Sequence, residues 1–159
     1  MKLRSVDRTK QAAEKLGLSI EILKMNETTR TAMDAAKACK CETGQIVKSM
    51  IFETKATGSL VLMLVAGDRQ VNMVLAAKLA GGPLVRADPK KVRAQTGFAI
   101  GGVAPIGHLC ELPVWIDEAL MQHETVWAAA GAPDTLFSVS PVLLADKTGA
   151  TIAKLAHTN

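Results

Sequence analysis

Residues 45 to 65, QIVKSMIFETKATGSLVLMLV, contain two apolar segments separated by a short polar turn. The segments Gln45 to Phe52 and Ser59 to Val65 are rich in the apolar and β-branched side chains that favour strands. Ala56-Thr57-Gly58 lies between them and has the composition of a turn. The pattern therefore predicts a β-hairpin.

Helices and strands alternate on both sides of this hairpin. Ser5 is a candidate cap for a helix that is expected to stop at Gly17. The other predicted elements are a strand at Ser19 to Lys24, helices from Thr31 to about Lys40, from Met73 to Ala80 behind the cap Asn72 and from Asp88-Pro89 toward Gly97, and strands at Pro113 to Ile116, Thr125 to Ala129 and Thr151 to Leu155. Because no linker, repeat or low-complexity tract interrupts them, we expect a single domain over residues 1–159.

Composition places the chain among ordinary globular proteins. Its 159 residues are 48% hydrophobic and 21% charged, which excludes a disordered chain. The longest apolar stretch, Leu60 to Ala66, is too short to span a membrane, and no signal-peptide pattern follows the N-terminus. The odd set Cys39, Cys41 and Cys110 is typical of reduced intracellular thiols. We therefore expect a cytoplasmic protein with no membrane partner.

Several chemistries are excluded by spacing. Gly44-Gln45-Ile46-Val47-Lys48-Ser49 lacks the second glycine of a phosphate loop, because valine precedes the lysine. His123-Glu124-Thr125-Val126-Trp127 begins like a zinc-protease helix but has tryptophan in place of the second histidine ligand. Neither G-x-S-x-G nor G-x-G-x-x-G occurs. We accordingly expect no metal and no cofactor.

Two features remain as candidates for chemistry. Lys48 interrupts an apolar strand, where an ammonium group usually needs an anionic or hydrogen-bonding partner, although an edge lysine facing solvent is also consistent with strand alternation. Gly101 to Gly107 contains three glycines and a proline in seven residues. Such a loop can present backbone N–H groups to an oxygen that becomes negative during attack. A tight connection between two elements is the alternative.

These segments resemble the YbaK family, which is related to the editing insertion domain of bacterial prolyl-tRNA synthetase. The resemblance rests on Gly44 to Ser49, Ala87-Asp88-Pro89 and Thr96 to His108, and it extends from about Ser5 to Leu155. It implies an α+β fold with a mixed, mostly antiparallel and partly barrel-like β-sheet flanked by helices. It also implies a freestanding aminoacyl-tRNA deacylase that hydrolyses the ester of mischarged tRNA, commonly tRNA for proline.

The resemblance further implies how such a site works. Backbone groups of the loop hold the aminoacyl group and a water molecule, the neighbouring ribose hydroxyl assists proton transfer, and Lys48 anchors the terminal adenosine or its phosphate. The expected partners are the acceptor end of aminoacyl-tRNA and prolyl-tRNA synthetase. The candidate residues are, for catalysis, Lys48, Gly101, Gly102 and Pro105; for substrate binding, Ser49, Val103, Ala104, His108, Met25 and Thr29; and for tRNA binding, Arg86, Lys90, Lys91 and Arg93.

Several alternatives stay open at the level of sequence. Alanine-specific members carry a histidine where this chain has Phe137 to Pro141, and Asp134 is out of register with the acidic residue of other members, so the preference stays open among cysteine, serine, threonine and 2-aminobutyrate. His108 could bind substrate or hydrogen-bond a strand end. The four cations around Asp88-Pro89 could simply form the solvent-exposed face of a helix, although the net charge of +4 favours polyanionic partners.

Two other functions compete with the deacylase. One is a non-catalytic domain of the same fold that binds tRNA or a synthetase. The other is a small-molecule-binding protein whose pocket is lined by Met25, Met50, Ile51 and Met63, residues that more often fill a core.

Overall fold

Most of the helices begin at capping residues that can be recognised in the sequence. The computed structural model of the protein describes residues 4–26, 29 and 31–158. Within them, Asn72 caps a helix as predicted, and Thr31 and Asp88, which were predicted to open helices, also cap them with their side chains. The helices are α1 (Ser5–Leu16), α2 (Ala32–Cys39), α3 (Met73–Ala80), α4 (Pro89–Thr96) and α5 (Pro141–Thr148). None of the helices in these ranges is long and apolar enough to cross a bilayer.

The strands are mostly short, and the two that form the predicted hairpin are the longest. They are β1 (Ile22–Lys24), β2 (Ile46–Thr54), β3 (Leu60–Ala66), β4 (Arg69–Val71), β5 (Leu84–Arg86), β6 (Val114–Asp117), β7 (Val126–Ala129), β8 (Thr135–Val139), β9 (Thr151–Ala153) and β10 (Ala156–Thr158). The hairpin is confirmed, with antiparallel pairs from Val47–Ala66 to Glu53–Leu60.

The large sheet has the order β1-β8-β7-β2-β3-β6-β9, and β5 adds to β2. Four of these pairings are antiparallel and three are parallel, while β4 and β10 form a separate antiparallel pair. The mixed, mostly antiparallel sheet with flanking helices confirms the predicted fold class. Because β2 and β3 lie at the centre, the hairpin positions the elements on either side.

The core lies on both faces of the hairpin. All seven residues of β3 are buried. Leu62 and Leu64 belong to a cluster with Phe137 on one face, and Met63 and Val65 belong to a cluster with Leu155 on the other. A strand buried on both faces carries an unbroken apolar run, which explains why this segment was so distinct in the sequence.

The sequence reasoning was wrong at one cap and incomplete elsewhere. Arg4, not Ser5, is the N-cap of α1 and makes no side-chain cap bond; the Ser5 hydroxyl instead donates to the Gly97 carbonyl at 3.2 Å. Among the strands and α-helices, those that were not predicted are β4, β5, β8, α5 and β10. Three-residue strands carry little pattern of their own. Helix α5, however, has the cap Ser140 before Pro141, a signal that could have been used.

Candidate functional site

The large sheet has a gap beside the middle of β2. The Gly67 amide donates to the Ile46 carbonyl at 2.8 Å, and the Thr54 amide donates to the Ser59 carbonyl at 2.9 Å. Even-numbered residues of β2 therefore bond to β3, and odd-numbered residues direct their backbone groups to the opposite edge. On that edge β7 pairs with residues 46–47 and β5 with residues 52–54. Among the described residues no strand pairs with the interval 48–51, so the Ser49 backbone faces the gap.

A groove with two lobes occupies this gap, and the loop that follows α4 forms its other wall. The lobes have volumes of about 330 Å³ and 190 Å³. Both are lined by Ser49, Met50, Ile100, Gly101 and Val103. The larger lobe is completed by Thr29, Thr31, Ala32, Ala35, Ile46, Val47, Lys48, Ala129 and Leu136, and the smaller by Ile51, Phe52, Arg86 and Ala87. The fold thus brings Lys48 and the glycine-rich loop to one groove.

Lys48 is half-buried in the wall of the larger lobe. Its ammonium group donates a hydrogen bond to the Arg69 carbonyl, which is the partner that an apolar strand position requires. Burial lowers the pKa of Lys48, and the negative charge of Asp68 acts in the opposite direction. An ammonium has three donors. Among the described residues one donor is used, for the Arg69 carbonyl, and an ammonium can hold a ligand oxygen with another.

The loop presents backbone at the groove. The Gly102 amide donates to the Ala99 carbonyl at 3.0 Å, which closes a β-turn with Gly101 at its third position and a φ of 97°. Turns that need a positive φ at that position favour glycine. Gly102 is glycine for another reason, since a Cβ there would lie 3.1 Å from the Cα of Ala132. Gly101 is exposed at the groove, and Gly102 is buried behind it.

The remaining predicted loop residues divide between wall and support. Val103 lines both lobes. Ala104 and Pro105 are buried in the layer behind, where Ala104 packs in a cluster with Phe98. Ile100 was not predicted, yet it lines both lobes with its side chain 58% exposed. An exposed isoleucine at the tip of a glycine-rich turn was the available signal.

Hydroxyl groups supply the uncharged polar part of the larger lobe. The Ser49 Oγ is buried and has no hydrogen-bond partner among the described residues. Thr29 donates to the Pro133 carbonyl, and Thr31 accepts from the Asp34 amide as the cap of α2. The described residues that line the two lobes include no histidine, cysteine or carboxylate. Ser49 therefore has no neighbouring base in them to activate it as a nucleophile.

His108 lies behind the loop and does not line either lobe. Its ring packs edge-on against Phe98, with centroids 5.2 Å apart, and both ring nitrogens are buried without a well-formed hydrogen bond in the described ranges. Burial lowers the pKa of His108 to about 4; the Ala104 backbone acts in the opposite direction, and the Arg8 charge lowers it further. The imidazole is therefore neutral near pH 7.

The predicted methionine pocket is divided between core and groove. Met63 is fully buried, and Met25 packs against Ala35 and Leu136 while its amide donates to the Asp134 carbonyl at 2.7 Å. Of these two methionines and Met50, Met50 is the one that lines the groove. The four residues proposed for a small-molecule pocket therefore do not all line this groove.

The four predicted tRNA-binding cations have different surroundings. Arg86 is exposed and lines the smaller lobe, and Lys90 is exposed on α4. The Lys91 ammonium donates to Glu53 at 3.1 Å and to the Gly58 carbonyl at 3.0 Å. The fourth, Arg93, lines a separate cavity of about 550 Å³ with Arg4 and Arg8. Arg86 is thus the member of this set that lies at the groove.

Acidic and thiol side chains do not form a metal site in the part of the chain that the structure describes. No group of three or more histidine, cysteine, aspartate or glutamate side chains there could hold a metal ion. The cysteines are free and partly buried. Burial, and then the neighbouring Cys41, raise the pKa of Cys39 to about 11, so its thiol stays protonated and unreactive near pH 7.

Comparison with known proteins assigns the chain to a family. The family model of the aminoacyl-tRNA editing domain matches residues 26–147. The protein belongs to this family, which confirms the resemblance found in the sequence. Both walls of the groove lie within the matched range, so the site described above is part of the editing domain.

Individual relatives connect the chain with prolyl-tRNA editing. EbsC of Enterococcus faecalis, described as a candidate Cys-tRNA(Pro)/Cys-tRNA(Cys) deacylase, is 24% identical over 131 residues, which are 82% of this chain and 79% of EbsC. A proline–tRNA ligase of Moorella thermoacetica is 39% identical over 74 residues, 46% of this chain and 12% of the ligase. A solved structure described as a candidate trans-editing enzyme for prolyl tRNA synthetase has 42% identity and a TM-score of 0.91, covering 99% of both chains.

Proposed function

We propose that the protein is a trans-editing deacylase that hydrolyses the ester of mischarged tRNA, with tRNA for proline carrying a small non-cognate amino acid as substrate. The observation that carries this proposal is the groove itself. It brings the side chain of Lys48 and the exposed backbone of Gly101 to one cavity, at a sheet edge where no described strand pairs with residues 48–51. Family membership supports the same reaction class.

The reaction adds water across the ester. The water oxygen bonds to the carbonyl carbon, the bond from that carbon to the ribose 3′ oxygen breaks, and the 3′ oxygen takes a proton. The products are a free amino acid and tRNA with its terminal hydroxyl restored. A base must accept the proton of the attacking water. Because the described lining of the groove has no such side chain, we assign the proton transfer to the ribose 2′-hydroxyl beside the ester, which accepts the proton of the water as it passes its own proton to the departing 3′ oxygen.

The loop and Lys48 supply the electrostatic stabilisation of the substrate in this reaction. We assign the carbonyl oxygen, as it becomes negative, to backbone N–H groups of the loop around Gly101, a contact that typically contributes about 3 to 4 kcal/mol. The Lys48 ammonium holds the terminal nucleotide through a charge-assisted hydrogen bond. Because the groove has two lobes, the aminoacyl group and the terminal adenosine have separate spaces on either side of a shared wall.

A deacylation panel tests this proposal. The protein is incubated with tRNA for proline charged with alanine, serine, threonine, cysteine, 2-aminobutyrate or proline, and the loss of each aminoacyl ester is followed. We expect faster loss of at least one non-cognate ester than of prolyl-tRNA. If every ester decays at its uncatalysed rate while the protein binds the tRNA, the fold serves as a non-catalytic binding domain and the proposal fails.

A further inference from the structure

Helix α1 lies against the back of the glycine loop, away from the groove. The loop leaves α4 at Gly97 and ends at Gly107. A Cβ on Gly107 would lie 3.1 Å from the Arg8 carbonyl oxygen, so the loop backbone contacts the helix directly. This close approach requires a residue without a side chain, and the φ of 84° at Gly107 also favours glycine.

One side chain of α1 bonds to both ends of the loop. The Arg8 guanidinium donates through Nη2 to the Gly97 carbonyl at 2.6 Å and through Nε to the Gly107 carbonyl at 3.3 Å. The Leu109 amide also donates to the Thr96 carbonyl at 3.0 Å. These bonds bring the two ends of the segment together, as in a compact surface loop that is closed at its base.

The same guanidinium holds the first aromatic residue of the loop. Its Cζ lies 4.9 Å from the centroid of the Phe98 ring, and His108 packs against that ring from the side. A guanidinium at this distance attracts the face of an aromatic ring. Because the nearby imidazole is neutral, it adds no repulsion to the arginine charge.

We propose that Arg8 is a positioning residue for the deacylation reaction, which clamps both ends of the loop and thereby fixes the backbone at Gly101. This inference rests on the proposed function. Arg8 lines neither lobe of the groove, so it acts through the loop rather than on the substrate. The planar fork of arginine can bond two carbonyls at once, which a lysine ammonium on a flexible stem does less well.

The test compares Arg8→Ala and Arg8→Lys with the control Arg4→Ala. Arg4 lies one turn earlier beside α1, is exposed, and bonds to Asp7 at 3.1 Å, so the control removes the same charge without touching the loop. Single-turnover deacylation at saturating enzyme and tRNA affinity are measured for each. We expect Arg8→Ala to lower the rate about 10- to 100-fold with little change in affinity, because small misplacements of catalytic groups cost rate. Arg8→Lys should recover part of the rate.

Hydrogen exchange separates a failure of this inference from a failure of the proposed function. In Arg8→Ala, the amides of residues 98–107 should exchange faster, while those of β2 and β3 stay protected. An inactive wild-type protein would refute the proposed function, and the exchange data would still decide whether Arg8 holds the loop.

Three outcomes overturn the clamp. They are a wild-type rate in folded Arg8→Ala, unchanged loop exchange, or exchange that rises equally throughout the hairpin. If Arg8→Ala does not fold, a wild-type rate in Arg8→Lys overturns it as well.

Discussion

The glycine loop at residues 98–107 and the basic segment at residues 86–93 are both distinctive in the sequence, yet the fold uses them differently. The loop keeps its residues together, with Gly101 and Val103 at the groove and Ala104 in the layer behind. The basic segment disperses its cations among the groove, an ion pair with Glu53 and a separate cavity. A site made of backbone is local in sequence, whereas a site made of long side chains depends on where each side chain is directed.

The loop and the basic segment are also expected to contribute differently, the loop to the reaction rate and the basic segment to tRNA binding. A backbone oxyanion contact acts within a confined groove, where an electrostatic interaction is strong. An exposed cation near a phosphate acts through water and is screened by salt. We therefore expect variants of Lys48 and of the glycine loop to change the reaction rate, and variants in the basic segment, Arg86 included, to change the affinity for tRNA.

The largest effect is expected for Lys48→Ala. This change removes the lysine side chain that lines the larger lobe, and we expect the single-turnover deacylation rate to fall about 100-fold, since charge-assisted contacts are among the strongest polar interactions. Circular dichroism should show an intact fold. Lys55→Ala, at an exposed lysine just beyond the end of β2, is the matched control and should keep the wild-type rate. Equal rates for the two variants would remove Lys48 from the site.

Gly101→Ala, a variant of the glycine loop, should have the next largest effect on the reaction rate. A Cβ at this position meets no atom within 4 Å, so the cost comes from the φ of 97° and not from a clash. We expect the turn to shift and the single-turnover rate to fall about 30-fold with nearly unchanged affinity. Parallel losses of rate and affinity would instead indicate general distortion of the loop. Pro105→Ala, in the supporting layer, should cause a milder loss.

The support behind the loop should be sensitive to acid. The folded-state pKa of His108 is about 4, below its ordinary value of 6.5, so the unfolded chain takes up a proton first as the pH falls. Stability is therefore lost below pH 6.5, by about 2 kcal/mol between pH 7 and pH 5. His108→Leu should remove that part of the pH dependence in urea unfolding. An identical pH dependence in both proteins would show that this imidazole is not the cause.

The smallest effect is expected from the basic segment. Within it, Arg86 and Lys91 are expected to have different roles, one in binding tRNA and the other in stability. Arg86→Ala should weaken tRNA binding about fivefold and reduce the salt dependence by about one phosphate contact. Lys91→Ala should leave binding nearly unchanged and lower the melting temperature, because its ammonium is bonded to Glu53 and Gly58. Filter binding across a salt titration measures the affinity of each variant for tRNA, and thermal unfolding measures the melting temperature. If Lys91→Ala weakens binding more than Arg86→Ala, the two assignments must be reversed.

The sequence was informative where local rules apply. The hairpin, three side-chain helix caps and the glycine loop follow from patterns within a few residues. The gap beside β2 could not be predicted in this way, because it depends on where β7 and β5 pair with that strand. The contact between Arg8 and the loop joins positions about 90 residues apart, and no local pattern encodes it.

The site residues show the same limit. Lys48 and Gly101 were identified from unusual local composition, and the structure brings both to the groove. Met25 and His108 are equally prominent in the sequence, but neither lines a lobe. Met25 packs in the cluster that contains Leu136, and His108 packs against Phe98. Ala32 and Ala35 were missed, since alanines on a helix give no chemical signal by themselves.

The central claim is that the described residues of the groove supply no side-chain base, so the substrate provides its own. The most direct test uses mischarged tRNA whose terminal adenosine has hydrogen in place of the 2′-hydroxyl, with the amino acid on the 3′ oxygen. We expect the wild-type protein to bind this tRNA normally and to hydrolyse it at least about 100-fold more slowly than the natural substrate, the usual contribution of a positioned proton acceptor. Hydrolysis at the natural rate would contradict the claim and would require a base within the protein.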